Sequence, residues 1–339
     1  MGLRLSVLDQ SPVLRGDTAR DALLQTTELA RKVEELGYHR FWVSEHHSTP
    51  SLAGSSPEVL IAHLAANTST IRIGSGGVLL PHYSAYKVAE NFRILENLHP
   101  GRIDLGIGRA PGGMPNVNRA LHDGQIRSAE RYPEQIDELL AYLRGEDPYM
   151  MGVYATPTGP SIPELWFLGS SAASALLAAE IGASFTFAHF INSQGGMLAT
   201  DRYRSRFRPS GLNSEPKTSV SVFTIAADTE QEAERLASSL DLALLLIEQG
   251  KSKNGFPPPE EALSYTYSPF ERERVRENRN RMVVGDAAQV KQQLEELAKA
   301  YGTEEIIINT ITYPFEERIR SYELLADAFS LNNNEQEGN

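Results

Sequence analysis

Arg40-Phe41-Trp42-Val43-Ser44-Glu45-His46-His47, residues 40–47, sets a short apolar run directly before an acid and two imidazoles. A run of this length, with Gly37 before it and a loop rich in Ser and Gly after it, reads as a buried strand. Its end would present His46 at the start of a βα loop, the place where barrel enzymes carry their chemistry. Working outward, the same unit recurs. Residues 3–8 read as a strand. Thr18 and Asp21 then form a capping pair, apolar residues follow at helical spacing, and Gly37 stops the helix. Ser56-Pro57 opens a second helix as N-cap and first helical residue.

Further strands are predicted over 71–80, 103–108, 165–168, 184–188, 219–226 and 305–309, with helices between them. Alternating strands and helices imply a parallel sheet. Eight such units within 339 residues favour closure over an open sheet. The expected fold is α/β, a TIM (β/α)8 barrel forming one domain over 1–331, with an insertion near 248–284. The tail, 332–339, is rich in Asn and Glu and reads as disordered.

Composition narrows the function. There are 44 acidic against 32 basic side chains, for a net charge of -12. An acidic surface repels phosphate backbones and anionic lipid, so no nucleic-acid or membrane partner is expected. The chain has no cysteine, which removes thiolate nucleophiles, disulfides and iron–sulfur clusters. No apolar h-region opens the chain and no segment approaches a membrane span in length, so a soluble cytoplasmic protein is expected.

The strand ends gather the candidate chemistry. Arg109 follows the strand over 103–108, and Gly169-Ser170-Ser171 joins a strand to a helix. An arginine fork and free helix-start amides suit a phosphate. The plainer alternatives are a paired arginine and a serine that only caps. Gly76-Gly77 interrupts a strand, which marks either a bulge or a close approach of backbone to a ligand. Adjacent Glu45, His46 and His47 point to alternating faces, and no HExxH spacing occurs, so no metal site is expected. Gly106 and Gly108 make a poor dinucleotide fingerprint, because Pro111 stands where a third glycine belongs. His39, His63, His82 and His99 read as surface or capping residues.

Several of these stretches together resemble the bacterial luciferase-like superfamily of flavin-dependent oxidoreductases. They are FWVSEHH at 41–47, IRIGSGGVLLP at 71–81, HPGRIDLGIGR at 99–109 and LWFLGSS at 165–171. The likeness is to the single-chain monooxygenase-like branch. Gly108 stands where luciferase itself has cysteine, so light emission is not implied. The resemblance implies FMN, bound reversibly and supplied reduced by a separate flavin reductase, and a small organic substrate oxidised with dioxygen. It implies His46 as the catalytic histidine beside the flavin. Gly76 and Gly77 match a non-prolyl cis pair under the flavin ring, Arg109 a phosphate ligand, and Gly169, Ser170 and Ser171 the phosphate-binding turn. A homodimer is the family expectation. The alternatives on the same fold are F420- or NAD(P)H-dependent hydride transfer, or flavin binding without turnover. The insertion over 248–284, rich in Pro and charge, is expected to be a mobile lid, most mobile near 251–259.

Overall fold

The structure, a computed structural model, describes residues 2–109, 115–125, 129–145, 149–252 and 255–333. Among the described residues, ten strands run in chain order: β1 (Arg4–Asp9), β2 (Arg40–Val43), β3 (Arg72–Ser75), β4 (Val78–Leu79), β5 (Ile103–Gly108), β6 (Glu164–Gly169), β7 (Ser184–Ala188), β8 (Thr218–Ala227), β9 (Met282–Asp286) and β10 (Glu305–Asn309). The helices are α1 (Ala19–Glu35), α2 (Pro57–Ala66), α3 (Ala85–Leu98), α4 (Pro115–Leu121), α5 (Tyr132–Arg144), α6 (Ala172–Ile181), α7 (Gly196–Arg206), α8 (Glu230–Glu248), α9 (Pro259–Ser264), α10 (Pro269–Arg279), α11 (Ala287–Tyr301) and α12 (Phe315–Phe329).

Eight strands close a parallel barrel in the order β10-β1-β2-β3-β5-β6-β7-β8, and β8 returns to β10. The registers Arg4↔Glu305 and Ile306↔Val220 seal the seam. Strand alternation sorts the side chains. Leu5, Val7, Ile306 and Ile308 face the helices in the main core, while Leu8, Trp42, Trp166 and Ile307 meet inside the barrel. The helix starts follow local chemistry. Thr18 and Asp21 form a capping box at α1, and Asp286 and Gln289 form another at α11.

The run over 71–80 is not one strand. It breaks at Gly76–Gly77 into β3 and β4, and β4 pairs with β5. The glycines have a packing reason as well. A Cβ on Gly77 would meet Gly106 O at 2.6 Å, and one on Gly106 would meet Ser75 O at 2.0 Å.

The insertion expected as a lid is ordered secondary structure packed on α8. It folds as α9, α10 and β9. Arg279 donates to Asp241 at 2.7 Å, Arg235 to Glu260 at 2.7 Å and Arg274 to Glu248 at 2.6 Å, fastening it to α8. β9 lies parallel to the end of β8, outside the barrel. Within the stretch expected to be most mobile, Lys253 and Asn254 lie outside the described residues. In the tail, Leu331–Asn333 forms a 3-10 turn, with the Leu331 backbone beside Gly37, and residues 334–339 lie outside the described residues.

Candidate active site at the C-terminal rim of the barrel

A cavity of about 730 Å³ opens at the C-terminal ends of the strands. That volume lies within the range of roughly 300–1,000 Å³ usual for ligand and cofactor sites. His46, Gly76, Gly77, Arg109, Gly169, Ser170 and Ser171, the residues singled out from the sequence, all line it. Leu8, Trp42, Leu79, Leu168, Phe190 and Ile307 supply apolar surface between them. Ser44, Ser174 and Ser221 also line it and were not singled out. Strand alternation could have found Ser44 and Ser221, which stand two residues beyond the inward-facing Trp42 and Ser219.

His46 follows β2 in the direction Trp42–Ser44–His46. Its backbone N–H donates to Gly54 O at 2.8 Å, and its Nδ1 lies 3.1 Å from Ser44 Oγ. Nε2 has no hydrogen-bond partner among the described residues. Burial, together with the neighbouring His47, pushes the His46 pKa down to about 4, so the ring is neutral near pH 7. His47 turns the other way. Its Nε2 lies 2.6 Å from Glu45 Oε1, which also accepts from Tyr83 Oη at 2.7 Å, while Glu45 Oε2 accepts from Leu79 N at 2.9 Å. Burial raises the Glu45 pKa against these three hydrogen bonds. His82 is not at the surface, as the sequence suggested. It is buried on the 3-10 turn Leu80–His82, with Nδ1 3.3 Å from His122 Nε2.

The Gly76–Gly77 peptide is cis. A Cβ on Gly76 would meet Leu8 Cδ1 at 2.6 Å, and one on Gly77 would meet Leu168 Cδ1 at 2.5 Å. Side chains there would displace the cavity wall. Arg109 is exposed on that wall and makes no ion pair with any described residue. Ser171 is the N-cap of α6, but its side chain makes no capping bond. The first amides of α6 and the hydroxyls of Ser170, Ser171 and Ser174 therefore stand at the same mouth as Arg109. That donor set fits a phosphate, and the flat apolar space beside the glycines fits an aromatic ring system. Among the described residues, no group of three or more His, Asp or Glu could hold a metal, and no helix is long and apolar enough to cross a membrane.

A family model described as luciferase-like monooxygenase matches residues 3–304. The chain is 56% identical over 329 residues to the uncharacterized protein YwcH of Bacillus subtilis strain 168, covering 96% of this chain and 99% of that one. It is 38% identical to the N-acetyl-S-alkylcysteine monooxygenase of the same organism, covering 96% and 98%. Among solved structures, apo-MsnO8 superposes with a TM-score of 0.90 at 39% identity, covering 97% of this chain and 98% of that one.

Proposed function

The chain belongs to the luciferase-like monooxygenase family, and from that premise we propose that it is an FMN-dependent monooxygenase acting on a small organic substrate. The observation that carries the reading is one cavity lined by His46, the Gly76–Gly77 pair, Arg109 and the start of α6. Reduced FMN, when bound, supplies the electrons with which dioxygen is activated and one oxygen atom passed to the substrate.

The chain's own residues do the rest. Arg109 and the α6 amides hold the phosphate by charge-assisted hydrogen bonds. Gly76 and Gly77 let the ring lie against backbone. Leu8, Trp42, Leu79 and Leu168 exclude water, which strengthens every polar contact left inside. His46 is the catalytic residue. Ser44 engages Nδ1, and the neutral ring at Nε2 can accept or return a proton beside the flavin. A separate flavin reductase supplies the reduced cofactor. Val59 and Ala62 on α2 and Ile94 and Leu98 on α3 are exposed apolar side chains, and they support a homodimer through these helices.

The test is oxygen uptake by purified protein given chemically reduced FMN, with an N-acetyl-S-alkylcysteine as first substrate, after the monooxygenase relative that is 38% identical. Oxygen consumption coupled to an oxygenated product supports the reading. Turnover without oxygen consumption would replace it with hydride transfer. His46→Ala should keep FMN affinity within about twofold and lower coupled product by 10²–10⁴-fold, the usual contribution of a general acid–base group. His47→Ala is the control, because His47 does not line the cavity. A larger loss for His47→Ala would reverse the assignment.

A further inference from the structure

The wall facing Gly76–Gly77 carries polar atoms that the cofactor reading leaves unused. Around the closed barrel, β8 stands four strands from β3 in either direction, diametrically opposite it. Ser221 on β8 lines the cavity and is only 2% exposed, yet its Oγ has no hydrogen-bond partner. On neighbouring β10, Ile307 pairs in register with Ser221 and also lines the cavity. Asn309 follows two residues later on the same face. It is fully buried, and neither atom of its amide has a partner. The hydroxyls just below are different. Thr186 Oγ1 and Ser219 Oγ satisfy one another at 2.8 Å.

A buried polar group left unpaired costs about 1–3 kcal/mol, and such groups in native proteins call for an explanation. We propose that Ser221, its unpaired hydroxyl facing the cavity, forms the specificity-determining subsite of this cavity and takes an uncharged carbonyl-bearing group of the substrate, an amide above all. A serine hydroxyl offers a donor and an acceptor together, which matches the C=O and N–H of an amide. Charge on the cavity wall lies elsewhere. Glu45 follows β2, Arg109 follows β5 and Glu130 precedes α5, while no described lining residue of β7, β8 or β10 is ionised. A charged group placed against Ser221 would be desolvated with no counter-charge. The inference rests on the proposed function only in giving the Gly76–Gly77 wall to the cofactor. The pyrimidine edge of a flavin offers the same amide chemistry, so the test separates the two sources.

Both tryptophans of the chain report on this chamber, since Trp42 lines it and its ring lies 5.4 Å from that of Trp166. Tryptophan fluorescence would be titrated with N-benzylacetamide, propylbenzene, 3-phenylpropionate and, separately, FMN. The proteins are wild type, Ser221→Ala, Ser221→Thr and Asn309→Leu, each first checked for a cooperative unfolding transition. The amide should bind wild type more tightly than the hydrocarbon or the anion. Ser221→Ala should weaken the amide about 3- to 10-fold, the worth of one neutral hydrogen bond, while Asn309→Leu, behind the cavity lining, should leave it within about twofold. Propylbenzene and FMN should stay within about twofold, and Ser221→Thr should retain the amide preference. No binding of the amide, or an equal loss for amide and hydrocarbon, overturns the proposal. A loss confined to FMN also overturns it, by assigning these atoms to the flavin. If FMN fails to bind wild type while the amide pattern holds, the cofactor reading falls and the subsite stands.

Discussion

At the N-terminal end of the barrel, Arg40 donates to Glu305 and to Asp104, each at 2.7 Å, and Arg72 reaches the other oxygen of Asp104 at 2.5 Å. Trp42 Nε1 and Ser6 Oγ complete the set, and Arg40 also lies over the Trp166 ring at 4.7 Å. At the C-terminal end, among the described residues, the Arg109 side chain makes no ion pair, His46 has one ring nitrogen unengaged, and Ser221 and Asn309 carry unpaired atoms. One end closes its polar groups upon each other, and the other leaves several of those facing the cavity open. In barrels of this kind the first end serves stability and the second chemistry. The same residue types do both jobs, so partnering, rather than composition, separates a structural arginine from a functional one.

The largest expected effect is at the closed end. Arg40→Met would strand the buried carboxylates of Asp104 and Glu305, both at most 1% exposed. Breaking a buried charge network by removing one partner costs about 3–5 kcal/mol, read as a lowered urea midpoint. The folded fraction should still bind FMN normally. A loss under about 1 kcal/mol would make the two ends energetically alike. Arg109→Ala reverses the pattern. FMN binding should weaken by about 1.5–3 kcal/mol, the worth of a hydrogen bond to a charged group, with little change in the unfolding midpoint. An unchanged FMN dissociation constant would remove Arg109 from the open set.

The two ends were also unequally legible in the sequence. Seven barrel strands showed as apolar runs at nearly their observed bounds, and the eighth, predicted over 71–80, is split by its glycines. The rim residues His46, Arg109 and Gly169–Ser171 followed from where those runs stop. β9 was missed because Met282–Asp286 offers only two β-branched residues after a charged helix and gains its pairing from β8, 55 or more residues earlier in the chain. The packing of the insertion was illegible for a related reason. The charges of 271–281 suggested solvent, yet Arg274 and Arg279 find Glu248 and Asp241 on α8. Ser221 and Asn309 could not be ranked from sequence, because an unpaired state depends on what every neighbouring strand provides.

A pH profile tests the open end without a ligand. The His46 pKa falls from an ordinary 6.5 to about 4 on folding. The unfolded chain therefore binds more protons between these values, and stability should fall as pH drops from about 6.5 to about 4, with no further contribution below. His46→Gln should remove that part of the slope, on the order of 1–2 kcal/mol because the ring keeps some access to the cavity. Identical slopes for wild type and variant would mean that His46 is as solvated as in the unfolded chain.

The smallest expected effect is the most discriminating, because its sign differs between two neighbouring layers of the same wall. Ser219 and Thr186 hold each other at 2.8 Å, so Ser219→Ala leaves a buried hydroxyl unpaired and should destabilise by about 0.5–1.5 kcal/mol. Asn309 has nothing to lose. Its amide is fully buried and unpartnered, and leucine has a similar shape without the polar atoms. Replacing an unsatisfied polar group by an apolar one of like volume can be neutral or stabilising. Asn309→Leu should therefore leave the ligand-free protein as stable as wild type or more stable, by up to about 1 kcal/mol, in urea unfolding. If Asn309→Leu destabilises as much as Ser219→Ala, the Asn309 amide is satisfied in the resting protein, and the open end of the barrel is smaller by one residue.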